Sequence, residues 1–198
     1  MNNRINWFGI TGAVLIFTLV AVSLFVPWWQ VSVGSVEKPF TEFGFSPMDF
    51  NFTFLGQSFT FPLVIAINMS VAISLLAGGV AILIYAINPT KPYAAKLLGF
   101  SYRKPLYALL VFLIGLILML LLTKMVTGLD VPLIGAVDSQ TGDSMIQSLL
   151  GGVTITRVLL TAGFQWPFIL AVASVTLCIG ARLYDKRVSR FPDQPPVQ

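Results

Sequence analysis

The sequence predicts a membrane all-α four-helix bundle carrying a small extracellular antiparallel β-sheet built from the two outer loops. Three observations predict it. Hydrophobic residues make up 56% of the 198 residues and charged ones 10%, with a mean hydropathy of +0.85, whereas a water-soluble domain carries roughly 25% charged residues. The apolar excess is gathered into four uninterrupted runs, 8–26, 63–87, 106–122 and 164–183, each near the roughly 20 residues that a helix needs to cross a bilayer. Between the first two runs, Phe50, Phe52 and Phe54 alternate with Asn51 and Thr53, a period of two that suits a half-buried strand.

These runs organise the chain as one tetraspan domain over 1–198. Membrane helices fall at about 8–27, 63–87, 105–124 and 164–184, extracellular segments at 28–62 and 125–163, and cytoplasmic segments at 1–7, 88–104 and 185–198. Asn2, Asn3 and Arg4 precede the first run, which ends at Pro27-Trp28-Trp29 without a small-residue cleavage site. It reads as an uncleaved signal-anchor helix, with both tryptophans at the outer headgroup level.

In the first outer segment, Leu55, Gly56 and Gln57 can form the turn of a β-hairpin whose second strand continues over 58–61. Phe40, Phe43, Phe45, Phe50, Phe52, Phe54, Phe59 and Phe61 exceed what a thin sheet buries, and leftover aromatic surface is interface material. The candidate interaction surface is therefore Trp28, Trp29, Phe50, Phe52, Phe54 and Phe59. Asn51-Phe52-Thr53 is an N-x-T sequon on a segment placed outside, which makes Asn51 the candidate glycosylation site. Asn68-Met69-Ser70 also matches but falls within a membrane run.

The second run contains Asn68, Ser70 and Ser74, followed by Gly78-Gly79. Small and hydroxyl-bearing residues let helices approach closely and hydrogen-bond across the contact, so these three read as helix-packing polar residues. The run stops at Asn88-Pro89, since proline disfavours helix at the residue before it. Residues 93–100 suit a short interfacial helix with Lys96 toward the headgroups. The third run is apolar on every side, and Lys124 at its outer end can snorkel to the interface. In the second outer segment, 143–150 suits a short helix capped by Asp143 or Ser144. Over 153–160, Val153, Ile155, Arg157 and Leu159 would share one strand face, predicting a strand that joins the first-loop sheet. Periodicity alone does not separate it from the start of the fourth helix. Trp166-Pro167 marks the outer interface, and 190–198 is polar, proline-rich and of disordered composition.

Charge sets the orientation. Lys91, Lys96, Arg103 and Lys104 stand in the middle segment without an acid, and Arg182, Lys186, Arg187 and Arg190 in the tail. The first outer segment sets Lys38 against Glu37, Glu42 and Asp49, and the second sets Arg157 against Asp130, Asp138 and Asp143. The positive-inside rule then places both termini and the middle segment in the cytoplasm of a multi-pass cell-membrane protein. The middle-segment bases read as topology determinants rather than as a lipid site.

Several chemistries lack their parts. There is no histidine, and Cys178 is the single cysteine, so no disulfide forms within the chain and a metal or haem centre held by it is not expected. Cys178 reads as a small apolar residue packed between helices. The run interiors contain no charged residue, which removes the usual hardware of proton-coupled transport and voltage sensing. The outer acids show no calcium-loop spacing, and no phosphate-cradling glycine loop or nucleophile elbow occurs. The net charge of +4 sits beside the ends of apolar runs, not in a nucleic-acid-binding patch. The expectation is a non-enzymatic protein with no catalytic, cofactor or metal residues, partnered by the lipid bilayer and by other membrane or surface proteins, further copies of itself included. Two alternatives stand: an accessory subunit of a larger membrane enzyme or respiratory complex, and an oligomeric channel or carrier for uncharged solutes that uses Asn68, Ser70 and Ser74 to line a cavity.

Four helices, inside termini, a longer β-forming first outer loop, a shorter second one and Trp28-Trp29 after the first helix resemble the claudin and peripheral-myelin tetraspan plan. Claudins carry a Trp-Gly-Leu-Trp signature and a cysteine pair in the first loop, and this sequence has neither. The resemblance implies an outer sheet that mediates contacts between neighbouring proteins or cells, held here by aromatic packing in place of a disulfide.

Overall fold

The computed structural model describes residues 6–34, 39–54, 56–127, 130–139 and 158–190. The described elements are α1 (Trp7–Ser23), β1 (Trp29–Gly34), β2 (Pro39–Phe45), β3 (Phe50–Phe54), β4 (Gln57–Phe59), α2 (Pro62–Ile87), α3 (Ala94–Ser101), α4 (Arg103–Thr127), β5 (Gly135–Ser139), β6 (Val158–Phe164) and α5 (Trp166–Arg190). The protein is mostly helical. Among the described residues three helical stretches are long and apolar enough to cross a membrane: Pro62–Ile87, Ala94–Val126 and Trp166–Asp185.

The first apolar run gives a shorter helix than expected. α1 has 17 residues and stops at Ser23, against an expected helix over 8–27. At 1.5 Å per residue it is about 26 Å long, short of a hydrocarbon core of about 30 Å. Pro27 pushes Val26 out of the helical region, and the Trp28 indole N–H donates to Ser23 Oγ at 2.7 Å, closing the chain back on the last helical residue.

α2 ends at Ile87, before Asn88-Pro89. The short helix expected over 93–100 is α3. Pro105 lacks an N–H for the Ser101 carbonyl, and α3 and α4 part at Tyr102. Tyr102 keeps helical torsions (φ −67°, ψ −25°), so the two run on as one apolar stretch.

The chain forms two compact units. One comprises the described parts of Met1–Val22, Ser70–Leu109 and Ile169–Gln198, and its described regular elements are all helices. In it α1 and α2 run antiparallel at close range: a Cβ on Gly9 would lie 2.8 Å from the Ala86 Cβ, and one on Gly79 would lie 2.9 Å from the Phe17 ring. Ala72, Leu75, Gly79, Ile82 and Ala86 form the buried stripe of α2, spaced three and four residues apart as one helix face requires. Small residues on that stripe allow the approach. Cys178 is fully buried, and a Cβ on Gly12 would lie 3.4 Å from its Sγ.

Asn6 ties three helices of this unit together. It stands at the N-cap of α1, where its Oδ1 accepts the Gly9 N–H at 3.1 Å. Its Nδ2 donates to the Tyr85 hydroxyl of α2 at 3.1 Å and to the Ala181 carbonyl of α5 at 3.4 Å. Tyr85 in turn donates to Asp185 Oδ1 at 2.9 Å. Asn6 and Tyr85 are both nearly fully buried, so their polar atoms need these partners. The only sequence signal for this cluster is an asparagine immediately before an apolar run.

The second unit, Ser23–Met69 and Leu110–Phe168, holds a six-stranded antiparallel sheet in the order β4-β3-β2-β1-β6-β5. The expected hairpin is present as β3 and β4, with Gly56 at φ +78° between them, a left-handed conformation that favours glycine; its second strand is Gln57–Phe59 rather than 58–61, because Gln57 already pairs with Phe54. The strand expected over 153–160 begins, among described residues, at Val158 and runs on to Phe164, pairing with β1 as Trp29↔Phe164 through Val33↔Leu160. Residues 153–157 and the short helix expected over 143–150 lie outside the described residues. β1 went unforeseen although Trp29, Val31 and Val33 alternate with Gln30 and Ser32, and β2 and β5 were not anticipated.

Candidate interaction surface

The pairing register sorts the sheet into two chemically different faces, because side chains alternate along each strand. Opposite one another on one face stand Trp29, Val31, Phe43, Phe45, Phe50, Phe52, Phe59, Leu160, Ala162 and Phe164. The other carries Gln30, Ser32, Glu42, Asn51, Thr53, Ser58 and Thr161. Asn51, the candidate glycosylation site, is exposed on this polar face. Its cross-strand neighbour Gly44 eases a close approach, since a Cβ there would stand 3.0 Å from the Pro27 ring.

α4 covers the apolar face at its β1 and β6 side. Phe112 packs its ring 5.1 Å from Trp28, 5.5 Å from Phe45, 5.8 Å from Phe168 and 6.4 Å from Phe164. Gly115 leaves room for the Phe45 ring, which would stand 3.3 Å from an added Cβ. Toward β3 and β4 the rings continue as a chain. Phe43 meets Phe50 at 5.0 Å and Phe52 at 6.4 Å, Phe52 meets Phe59 at 5.6 Å, and Phe50 meets Phe61 at 6.0 Å. Such edge-to-face and tilted pairs add about 0.5–1.5 kcal/mol each beyond area burial.

Cover declines along that chain. Phe50, Phe52 and Phe54 are half-buried, while Phe59 and Phe61 are 42% and 48% exposed. β4 is exposed along its whole length and is an edge strand, with one row of backbone groups that no described strand pairs. At the opposite edge, Ile134 and Val137 are exposed beside and within β5.

Two of the six expected surface residues are not on a surface. Trp28 and Trp29 are fully buried in this unit. Trp28 is held by Ser23 and Phe112, and the Trp29 indole N–H donates to the Leu133 carbonyl at 2.8 Å. An aromatic pair after an apolar run suits the headgroup level equally well. What places it inside is that Trp29 faces the same way as Val31, Phe45 and Phe164, under α4. Phe50, Phe52, Phe54 and Phe59 are brought together on one face.

The three polar residues of α2 are not brought onto one face. At 100° per residue, Ser70 and Ser74 share a side and Asn68 points elsewhere; Ser70 is exposed, while Asn68 and Ser74 are half-buried. Asn68 instead lines a pocket of about 230 Å³ with Leu24, Asp49, Phe50, Thr60, Phe61 and neighbouring α2 residues. Ser46 shapes its rim by accepting the N–H groups of Met48 at 3.3 Å and Asp49 at 2.8 Å. Burial pushes the Asp49 carboxyl above its ordinary value, and the Phe50 backbone hydrogen bond pulls it part of the way back.

The sign of that shift gives a test. With its folded pKa above the unfolded one, Asp49 binds its proton more tightly in the folded state. Its stabilising contribution is complete below the ordinary value of 3.8 and is lost as pH rises through the folded value. At neutral pH the buried carboxylate is a cost. Asp49→Asn is therefore expected to raise stability at pH 7 by less than about 1 kcal/mol once solvent screening is allowed for, with no gain at pH 3. Thermal unfolding at both pH values checks it, and an equal effect at both would remove the carboxylate as the cause.

Among the described residues no three His, Cys, Asp or Glu side chains gather where they could hold a metal ion. No protein-family model matches the chain, and a search of curated proteins finds no match.

Proposed function

We propose that this is a non-enzymatic, multi-pass membrane protein with four spans and cytoplasmic termini, whose outer sheet mediates contacts with other membrane or surface proteins, including further copies of itself. The observation that carries the reading is the chain of rings from Phe43 to Phe59, which runs out of cover at an edge strand whose outer side no described strand pairs, with Phe59 and Phe61 exposed. An edge strand beside an apolar strip offers backbone hydrogen bonds for affinity and side-chain pockets for specificity, which is how strand addition recognises a partner. The likeness to the claudin and peripheral-myelin plan belongs to the same proposal. Its support is a sheet in which four strands of the first loop continue into strands of the second. The charge asymmetry along the chain supports the orientation.

The test is recovery of the full-length protein from native membranes in mild detergent or nanodiscs, with its complexes sized and identified by mass spectrometry. A stoichiometric homo-oligomer or complex with surface proteins is expected, reduced at least about tenfold by Phe59→Ser with Phe61→Ser, consistent with aromatic interface anchors. Unchanged thermal unfolding of the variant shows that the sheet survives. Complexes indifferent to the substitutions would overturn the reading.

One observation favours the accessory-subunit alternative. Within its 18-residue apolar stretch the helix Ala94–Val126 has only 17% of its residues buried, against 44% and 33% in the corresponding stretches of the other two long apolar helices, which leaves a surface open to foreign helices as well as to lipid. Recovery with redox or transport subunits that persists in the Phe59→Ser, Phe61→Ser variant would establish it.

A further inference from the structure

We propose that the concavity on α3 and the start of α4 is a binding site for a phosphate-bearing anion, presented by a lipid headgroup or as the free ion. Lys96, Gly99, Phe100, Arg103, Lys104 and Tyr107 line a cavity of about 520 Å³. Their spacing of three and four residues puts them on one helix face, and the helical torsions of Tyr102 carry that face across the junction of α3 and α4.

The three cations line one cavity, and two of them are held. Residues 88–105 contain no acid, and the ion pair formed among the described residues joins Lys124 to Asp130 elsewhere, so none of the three is neutralised by a described carboxylate. The Lys104 ammonium sits 4.7 Å above the Phe100 ring, a cation–π contact that orients it. Arg103 Nε donates to the Tyr102 hydroxyl at 3.4 Å, and Arg182 lies 4.1 Å over the ring of the same tyrosine. The space above Gly99 is open, since a Cβ there would meet nothing within 4 Å.

Topology needs only the number of Lys and Arg beside an apolar run, not their convergence. Convergence around a cavity adds a site. An arginine fork and two lysine point charges match the several oxygens and the charge of a phosphate group better than a single carboxylate. The place suits a headgroup: the cavity opens the apolar stretch Ala94–Val126, and Tyr107, 55% exposed, is an amphipathic ring of the kind that settles at the membrane interface. Basic pockets beside membrane helices hold anionic headgroups by this chemistry.

The test uses the full-length protein exchanged into phosphatidylcholine nanodiscs, titrated with phosphatidylglycerol or cardiolipin and read by native mass spectrometry, with inorganic phosphate and pyrophosphate as soluble competitors. Saturable retention of an anionic phospholipid over phosphatidylcholine is expected. Lys96→Gln, Arg103→Gln and Lys104→Gln together should weaken it on the order of a hundredfold, the product of three surface charges. Gly99→Leu changes no charge and pushes an apolar side chain into the cavity, and should weaken binding at least about tenfold with an unchanged unfolding midpoint, by obstructing the anion. Competition by millimolar phosphate identifies the free ion as a ligand, and failure to compete assigns the site to the lipid. Wild-type retention by Gly99→Leu would overturn the site and leave only a diffuse field of charge. Retention unaffected by the triple variant, or no preference over phosphatidylcholine, would overturn it too.

Discussion

Replacing Trp29 with alanine is expected to destabilise the sheet-bearing unit by about 3–5 kcal/mol, the range for removing a large aromatic from a packed core. The side chain is fully buried and faces Phe45 across one strand pair and Phe164 across the other. Its removal leaves a cavity between β2 and β6 that these neighbours cannot fill without leaving their registers. It also strips the Leu133 carbonyl of its indole donor, a loss of about 1 kcal/mol where water can partly replace the bond. Trp29→Phe separates the two terms, keeping most of the apolar area and losing the hydrogen bond. Denaturant unfolding in detergent, followed by near-ultraviolet circular dichroism, reads both. A shift below about 1 kcal/mol for Trp29→Ala would mean that the sheet does not rest on this residue.

Phe112→Ala is expected to cost a similar ~3–5 kcal/mol, for a different reason. Phe112 is a helix residue, nearly fully buried, at the centre of four rings contributed by the chain before β1, the end of β2, the end of β6 and the start of α5. Its loss releases α4 from the apolar face, so Phe45 and Phe164 should gain mobility while β3 and β4 keep theirs. A double-mutant cycle with Phe45→Leu should show coupling of about 0.5–1.5 kcal/mol, the value of one aromatic pair. A cycle with Phe59→Leu should show almost none, because Phe59 does not touch Phe112. Equal coupling in both cycles would mean that the sheet responds as a rigid block and that α4 is not its local clamp.

How much was legible follows from how local each signal is. The hairpin of β3 and β4 is written in adjacent residues: rings at every second position, then a glycine able to take φ +78°. α3 and the end of α2 were legible for the same reason, through Lys96 on an otherwise apolar turn and through Pro89. β1 had a comparable alternation in Trp29, Val31 and Val33 but was hidden by the better-known habit of tryptophans after an apolar run. The Asn6 cluster was nearly silent, because its partners Tyr85, Ala181 and Asp185 stand 79 or more residues away. Asn68, Ser70 and Ser74 look alike as letters, yet helical geometry sends Asn68 toward Asp49 and Phe61 and Ser70 to an exposed side.

By itself, then, the sequence determined where apolar runs lie, where proline and glycine interrupt them, how charge is distributed between the segments, and that Phe50–Phe54 alternates. Each depends on the chain and its solvent alone. Only the tertiary structure decided that Trp28 and Trp29 are core and that Phe59 and Phe61 are where the aromatic face loses its cover. Those outcomes depend on which surfaces meet: burial is a property of pairs of elements, and no periodicity within one element records its partner.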